Sequence, residues 1–405
     1  MQKEKLLEPK LRFPEFNGAF DSVEIGEITK VYDGTHQTPK YVEKGIPFYS
    51  VEHVSANQFN ETKYISKEVF EKENKRVRLE KGDILMTRIG SIGVAKYIDW
   101  DVRASFYVSL ALIKNPKHHS SQYINQYISS IPFQKELWKR TIHVAFPIKI
   151  NLGEISKCVI NFPSISEQQK LADFLSAVDK RIQTLEKKKN LLDQHKRGLM
   201  QKIFKQEIRF KDDNGNNFPE WSNIQLGKLT TKTGKKNKEN VPYPIYSINN
   251  KEGFLPQGEQ FEGMNSNDRG YDISLYKIIR KNTFAYNPAR INVGSIGFSG
   301  DLDNVIISSL YVCFKTKEAL EDKYLQQYLD TFQFNKDVLR YSEGGVRQYL
   351  FFENFSKIKI PLPSNSEQLK IASFLEAIDK KIELVTTKIE HTKTYKKGLL
   401  QQMFV

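Results

Sequence analysis

Polar and cationic side chains occupy turns at matching places in the two halves of this 405-residue chain. In the first half they lie in the DGTHQTPK turn and around the IGSIG turn, at Thr35, His36, Gln37, Thr38, Lys40, Arg88, Ser91 and Lys96. In the second half they lie in TKTGKKNK, around VGSIG and in GGVRQY, at Lys232, Lys235, Lys236, Asn237, Arg290, Asn292, Ser295, Arg347, Gln348 and Tyr349.

These residue types are suited to contacts with nucleic acid. Arg pairs with guanine, and Asn or Gln with adenine, through two hydrogen bonds each, whereas Lys and backbone amides mostly contact phosphate. Taken singly, each residue also fits an ordinary solvated loop, and His36 fits a structural loop histidine. Their clustering at equivalent places in both halves favours binding.

The net charge is consistent with this chemistry. There are 62 Lys and Arg against 48 Asp and Glu, which leaves +14 at pH 7. Such a surplus favours a polyanionic partner, because each neutralised phosphate releases a counterion. Charge alone does not separate this from a merely basic soluble protein.

Motifs for catalysis are missing from the sequence. Gly227 and Gly234 precede Lys235 with six residues between them, where a P-loop needs four. No G-x-G-x-x-G or H-E-x-x-H occurs, and the seven histidines form no ligand set. The NPAR stretch at 287–290 lacks the second proline and the aromatic residue of adenine methyltransferases. We therefore expect a binding protein without a catalytic residue, metal or cofactor of its own.

An internal repeat must position the polar turns. Residues 166–204 align with 366–404 without a gap, and 17 of these 39 positions are identical. Within both segments, apolar residues recur at heptad spacing, which is typical of a coiled-coil seam. These residues are Leu171, Leu175, Val178, Ile182, Leu185, Leu192 and Leu199, and then Ile371, Leu375, Ile378, Ile382, Val385, Ile389 and Leu399.

Each heptad segment has a helix start signal. Ser164 precedes Glu167 by three residues, and Ser364 precedes Glu367, as in a capping box. Lysines interrupt both seams, among them Lys196 and Lys396. The pattern predicts two long helices that pair antiparallel, the alternative being that each packs only on its own block.

The upstream blocks predict mixed α/β domains rich in strands. KGDILMTRIGSIGVAKYI is typical of a hairpin with a Gly-rich turn, and SQYINQYISSIPFQKELWKR is typical of helix. The sequence therefore predicts an α+β protein with a pseudo-twofold repeat. The predicted segments are a first domain at 1–162, a helix at 163–205, a linker at 206–217, a second domain at 218–362 and a helix at 363–405.

Two cysteines, Cys158 and Cys313, lie in apolar runs and predict buried free thiols rather than a disulfide framework. The first residues, MQKEKLLEPKLRFPEF, lack the apolar region of a signal peptide. We expect a cytoplasmic location.

Two variable blocks, each followed by a matched helix, resemble the specificity (S) subunit of Type I restriction–modification systems. The resemblance rests on the paired PSxSEQ…FLxAxDKxI…KxGLxQxxF segments, on KGDILMTRIGSIG and on the order of the blocks. It covers essentially the whole chain, although no single motif is diagnostic.

The resemblance implies that each block is a target recognition domain for one half of a split DNA site. It implies that the helices set the half-site separation and that each half docks one modification (methyltransferase) subunit. Those partners would carry S-adenosylmethionine, and restriction subunits bound through them would add ATP- and Mg-dependent translocation and cleavage. This chain would be non-catalytic. The alternatives are a stand-alone DNA- or RNA-binding protein that dimerises through its coiled coils and, last, an enzyme with degenerate motifs.

Overall fold

The computed structural model describes residues 7–250, 252–260, 270, 272–345 and 348–405. Its internal contacts divide the chain into two compact units. Unit 1 comprises residues 1–187 and 386–405, and unit 2 comprises residues 188–385. Each unit therefore combines one strand-rich block with parts of both long helices.

Within the residues that the structure describes, unit 1 is built from ten short strands and six short helices ahead of the first long helix. In chain order they are β1 (Asp21–Glu24), α1 (Ile25–Ile28), β2 (Val31–Asp33), β3 (Tyr41–Val42), β4 (Ile46–Tyr49), α2 (Val51–Ala56), β5 (Lys63–Ile65), α3 (Lys67–Glu73), β6 (Ile84–Thr87), β7 (Ala95–Tyr97), β8 (Ser105–Phe106), β9 (Leu110–Ile113), α4 (Ser121–Ile128), α5 (Ile131–Arg140), α6 (Leu152–Ser156) and β10 (Val159–Phe162). The first long helix, α7 (Ile165–Phe204), continues into unit 2.

Unit 2 has a similar element order. Its elements are β11 (Ser222–Gln225), α8 (Leu226–Leu229), β12 (Thr230–Thr233), β13 (Ile245–Asn249), β14 (Gly253–Pro256), α9 (Gln257–Gln260), a 3₁₀ turn (Ile273–Leu275), β15 (Lys277–Ile279), β16 (Phe284–Tyr286), a 3₁₀ turn (Ile291–Val293), β17 (Ile296–Phe298), β18 (Val305–Ile307), β19 (Val312–Thr316), α10 (Asp322–Leu329), α11 (Phe332–Tyr341), α12 (Phe352–Phe355) and β20 (Lys359–Leu362). The second long helix, α13 (Asn365–Met403), continues into unit 1.

Each unit has its own four-stranded sheet of the same strand order, and a second four-stranded sheet whose strand order differs between the units. The antiparallel sheet β2-β9-β6-β7 of unit 1 has the same order as β12-β19-β16-β17 of unit 2. The predicted hairpin is confirmed, because β6 pairs with β7 across the IGSIG turn. The second four-stranded sheets are β3-β5-β4-β8 and β14-β13-β18-β15. Both contain one parallel pair, β4 with β8 and β13 with β18, but the remaining edge strand lies beyond β5 in unit 1 and beyond β18 in unit 2. Each unit also has a two-stranded sheet, β1-β10 or β11-β20. The mixed α/β prediction is confirmed.

Within each unit, α7 and α13 run antiparallel, as predicted. In unit 1, Lys396 pairs with Asp179 and Lys393 pairs with Glu186, both at 2.6 Å, so rising numbers on one helix meet falling numbers on the other. Leu171 and Leu175 share a core with Leu399 and Phe404. In unit 2, Ile371, Leu375 and Ile378 share a core with Met200 and Ile203. The alternative that each helix packs only on its own block is therefore wrong.

Two of the lysines that interrupt the heptad seams, Lys196 and Lys396, form matched polar networks. In unit 1, the Lys396 ammonium donates to both carboxylate oxygens of Asp179, at 2.6 and 2.8 Å, and Gln126 of α4 donates to the same carboxylate at 2.8 Å. In unit 2, Lys196 and Gln327 of α10 each donate to Asp379 at 2.9 Å. Each network links both long helices to a helix of the neighbouring block.

The predicted capping boxes form only on the serine side. Ser164 accepts from the Glu167 amide at 3.4 Å, and Ser364 accepts from the Glu367 amide at the same distance. The Glu167 carboxylate instead accepts two hydrogen bonds from Arg12, at 2.9 and 2.7 Å, and this pairing raises the pKa of Arg12. The glutamate therefore anchors the segment that precedes its block.

Unit 2 repeats this anchor inside the segment predicted as a linker. Arg209 donates to Glu367 at 3.3 and 3.0 Å, and Phe210 packs edge-on against Phe374 with ring centroids 5.4 Å apart. The corresponding ring pair of unit 1, Phe13 and Phe174, is 5.7 Å apart. The domain boundaries themselves stay predictions.

We expect the substitution Arg12→Met to lower the free energy of unfolding by about 3–5 kcal/mol, because it leaves an unpaired carboxylate in a buried position. The Glu167 side chain is only 1% exposed. Urea unfolding of the purified chain measures the loss.

The matched control is Lys393→Met. This substitution removes the ion-pair partner of Glu186. Because the Glu186 side chain is 44% exposed, the free energy of unfolding should fall by at most about 1 kcal/mol. Equal losses in the two variants would contradict an anchoring role for Arg12.

Candidate nucleic-acid interface

Arg88 joins three loops of unit 1. It directly follows β6, a strand whose four residues are all buried, and is itself only 8% exposed. Its Nε donates to the Ile150 carbonyl at 3.1 Å, and its Nη1 donates to the Val108 carbonyl at 2.7 Å. The same Nη1 lies 3.9 Å from Asp33. Burial lowers the pKa of Arg88, and the Asp33 charge opposes that change.

Asp33 holds the base of the 33–40 loop. Its buried carboxylate accepts from Arg76 at 2.5 Å and lies 2.9 Å from Nε2 of His36. Burial alone would raise the pKa of Asp33, but the hydrogen bond from Arg76 and the nearby charges outweigh it, so the pKa lies below its usual value. Gly34 is required beside it, because a Cβ there would clash with the Phe106 carbonyl.

The predicted contact residues of unit 1 fall into two groups. The exposed group can meet a ligand directly and consists of His36, Gln37, Thr38, Lys40 and Ser91. Thr35 and Arg88 are buried and serve the loop framework. Lys96 is half-buried, with its ammonium 5.9 Å from the ring of Phe59 and 5.6 Å from that of Trp100.

Unit 2 divides in the same way. Its exposed predicted residues are Lys232, Lys235, Lys236, Arg290, Asn292 and Gln348. Asn237 is 1% exposed and donates to the Val241 carbonyl, and Ser295 is 5% exposed and donates to the Ile248 carbonyl. Tyr349 is half-buried and stacks on Phe351 at 5.9 Å. Arg347 lies outside the described residues.

Sequence reasoning missed Asp33 and Arg76. Both lie beside predicted residues and form the ion pairs that fix the loop. The available signal was the lone acid at the start of DGTHQTPK, followed by a glycine that admits a close backbone approach. The predicted contacts with DNA themselves stay predictions.

Neither metal binding nor membrane insertion is visible in the part of the chain that the structure describes. Among those residues, no cluster of three or more His, Cys, Asp or Glu side chains is arranged to hold a metal ion. No described helix is long and apolar enough to span a bilayer. Both cysteines are buried free thiols, as expected, and burial raises the pKa of each to about 12.

Because the folded-state pKa of Asp33 is lowered, its contribution to stability is present above the unfolded-state pKa near 4 and is lost as pH falls through the folded-state pKa. We expect Asp33→Asn to cost about 1–3 kcal/mol at neutral pH. The difference from wild type should stay constant from about pH 7 to about pH 5 and should shrink as the pH falls below about 4.

Urea unfolding across this pH range measures the difference. The control variant Asp101→Asn removes a carboxylate of the same unit that is 97% exposed and lies 3.9 Å from Lys81, and it should leave the pH dependence unchanged. A loss at Asp33→Asn that is independent of pH would refute the charge-based role.

Comparison with known proteins supports one family. The family model described as "Type I restriction modification DNA specificity domain" matches residues 17–194 and 220–393. A putative Type I restriction enzyme MjaX specificity subunit of Methanocaldococcus jannaschii is 26% identical over 414 residues, covering 94% of each chain. The MjaVIII specificity subunit of the same organism is 27% identical over 260 residues, covering 60% of each chain.

Solved structures share the fold. The crystal structure of the S subunit of a Type I restriction–modification system from M. genitalium has a TM-score of 0.61 at 15% identity, covering 98% of this chain and 99% of that one. A chain from a study of complex assembly and conformational transition of the Type I system has a TM-score of 0.54 at 13% identity, covering 94% and 96%. With matches that span both repeats, this chain belongs to the Type I restriction–modification DNA specificity family, as a non-catalytic subunit that recognises DNA sequence.

Proposed function

We propose that the chain reads a bipartite, asymmetric DNA site and directs adenine methylation and restriction by partner subunits. One observation carries the proposal: the two units keep the same framework but expose different polar groups. Both contain the same four-stranded sheet order and the same Arg–Glu anchor. Their exposed loops differ, however: after the first strand of that sheet, unit 1 exposes His36 and Gln37, whereas unit 2 exposes Lys235 and Lys236. Different side chains select different bases, so the two half-sites should differ.

The long helices are proposed to set the distance between the half-sites. They contain 40 and 39 residues, and each is therefore about 60 Å long at 1.5 Å per residue. One turn of DNA spans about 34–36 Å, the separation of successive major-groove faces. Helices of this length are suited to two readers on one duplex with an unread spacer between the bases that they contact.

The partners follow from the repeat and from the family. Two equivalent halves offer two equivalent docking places, which suits two modification subunits. In this proposal those subunits bind S-adenosylmethionine and methylate an adenine that has left the base stack. Restriction subunits, bound through them, supply the ATP- and Mg-dependent translocation and cleavage.

The packing of the helices weighs against the rival proposal, a stand-alone binder of DNA or RNA that dimerises through its coiled coils. In each unit the apolar seam is already filled by the other long helix of the same chain. Leu175 and Leu375 are completely buried in this way. A dimer formed through the same seams would have to replace these contacts.

We expect deletion of the gene to abolish N6-methyladenine at one bipartite motif in the genome, because the modification subunits would lose the subunit that determines their sequence specificity. Long-read mapping of methylated adenine in strains with and without the gene measures this. Restoring the gene on a plasmid should restore the same motif. An unchanged map in a strain with an active modification subunit would overturn the proposal.

Exchange of residues 218–362 for the matching block of another family member should change one half of the motif only, because that block runs from β11 to β20 and leaves the helices intact. Methylation mapping reads out the new motif. The control is the reciprocal exchange of residues 17–162, which should change the opposite half. A change in both halves from one exchange would argue against independent readers.

A further inference from the structure

The loop between α5 and α6 of unit 1, residues 141–150, presents a bare apolar tip. Phe146 is fully exposed and Val144 is 97% exposed. These are the two most exposed of the large apolar side chains that the structure describes. Val144 and Phe146 together form an exposed apolar patch at the end of one loop, and such patches often mark contacts with another molecule.

The base of this loop is firmly attached to the rest of unit 1. The Ile142 amide donates to the Lys149 carbonyl at 2.8 Å, which closes the loop on itself. The Gly90 amide donates to the Ile148 carbonyl at 2.8 Å, and the Ile150 amide donates to the Arg88 carbonyl at 3.0 Å. The base of the loop is therefore fixed beside the IGSIG turn, which carries the exposed predicted contact Ser91.

The repeat supplies an independent argument. In unit 2 the Leu350 amide donates to the Pro288 carbonyl at 3.0 Å. Both residues lie 200 positions after Ile150 and Arg88, which make the same hydrogen bond in unit 1. Glu343 and Tyr349 close that loop with two backbone hydrogen bonds. The unit 2 loop carries Gln348 and Tyr349, which the sequence already predicts as contacts. Loop 141–150 is its counterpart, although its own sequence carries few base-pairing side chains.

The charge around the tip suits a polyanion. Lys135, Lys139 and Lys149 are all exposed on α5 or on the loop itself. The one acid of α5, Glu136, is already paired with Lys139 at 3.6 Å and with Arg140 at 3.2 Å. Exposed lysines on the loop and on the helix that leads into it, combined with an apolar tip, suit a ligand that offers both phosphates and stacked bases.

We propose that Phe146 is an apolar wedge that enters the DNA groove and inserts at a base step of the half-site bound by unit 1. The inference rests on the proposed function, since it needs a DNA site. Such a wedge selects sequence without hydrogen bonds, because base steps differ in how readily they unstack. It would thus give unit 1 a second basis for selectivity beside its polar loops.

The test uses the full chain co-purified with its modification subunits and a duplex that carries the mapped motif. 2-Aminopurine replaces one base at a time in the half-site assigned to unit 1. Wild-type complex should raise the fluorescence at one step, as expected of an unstacked base. Phe146→Ala should abolish the rise and weaken binding about tenfold or more, since base–aromatic stacking is of that size.

Phe332→Ala is the matched control, because Phe332 is an 84% exposed phenylalanine on α11 of unit 2. It should behave as wild type. Phe146→Leu, which keeps an apolar wedge, should recover part of the binding. Since Phe146 is fully exposed, Phe146→Ala should melt at the wild-type temperature, so that a loss of binding reports on contact with DNA.

Three results would overturn the wedge. If Phe146→Ala binds DNA and raises the fluorescence as the wild type does, the wedge is refuted and the proposed function stands. Loss of the modification subunits from Phe146→Ala on gel filtration would make the tip a protein contact instead. Absence of sequence-specific binding by the wild-type complex would overturn the proposed function, and the wedge with it.

Discussion

The rest of the structure depends on the ion pair between an aspartate and a lysine that each pair of long-helix segments holds in its seam. Asp179 accepts from a lysine of the other long helix and from a glutamine of α4, and Asp379 has the same two kinds of partner. Apolar heptads alone tolerate sliding by one repeat, whereas a charge in the seam is satisfied at a single register. Each network therefore fixes two helices and one block helix together.

The Arg–Glu anchors serve the same purpose at the helix starts. Glu167 and Glu367 are both almost completely buried, and each is neutralised by an arginine from the segment that precedes the block. The β1–β10 and β11–β20 pairs close each block at nearby positions. Such a framework leaves the loops free to vary, because none of these contacts uses a side chain from the polar turns.

Much of this framework could be predicted from the sequence because its signals are periodic or repeated. Heptad spacing predicted the seam, and two strands around IGSIG predicted the β6–β7 hairpin. The function of Glu167 could not be predicted from its local pattern, because a capping box and a long-range ion pair use the same residue at the same place. Only the tertiary fold, which brings Arg12 to the helix start, decides between them.

The candidate surface was less predictable for a related reason. Arg88 and Gln37 look alike in a sequence as polar residues near a turn, but Arg88 has its hydrogen bonds satisfied by two loop carbonyls and Gln37 is exposed. Similarly, Asn237 binds its own loop. Side-chain direction depends on neighbours from distant strands, so residue type and spacing could locate the loops without separating framework from contact positions.

The division of the chain between the units has a consequence for synthesis on the ribosome. Unit 2 is continuous, from residue 188 to residue 385, whereas the core of unit 1 needs residues 386–405, including Phe404 packed against Tyr123 and Tyr127. The block translated first must therefore wait, with part of its apolar core uncovered, until that segment emerges. Unit 2 has its full set of residues earlier, so its core can be completed first although its block is translated second.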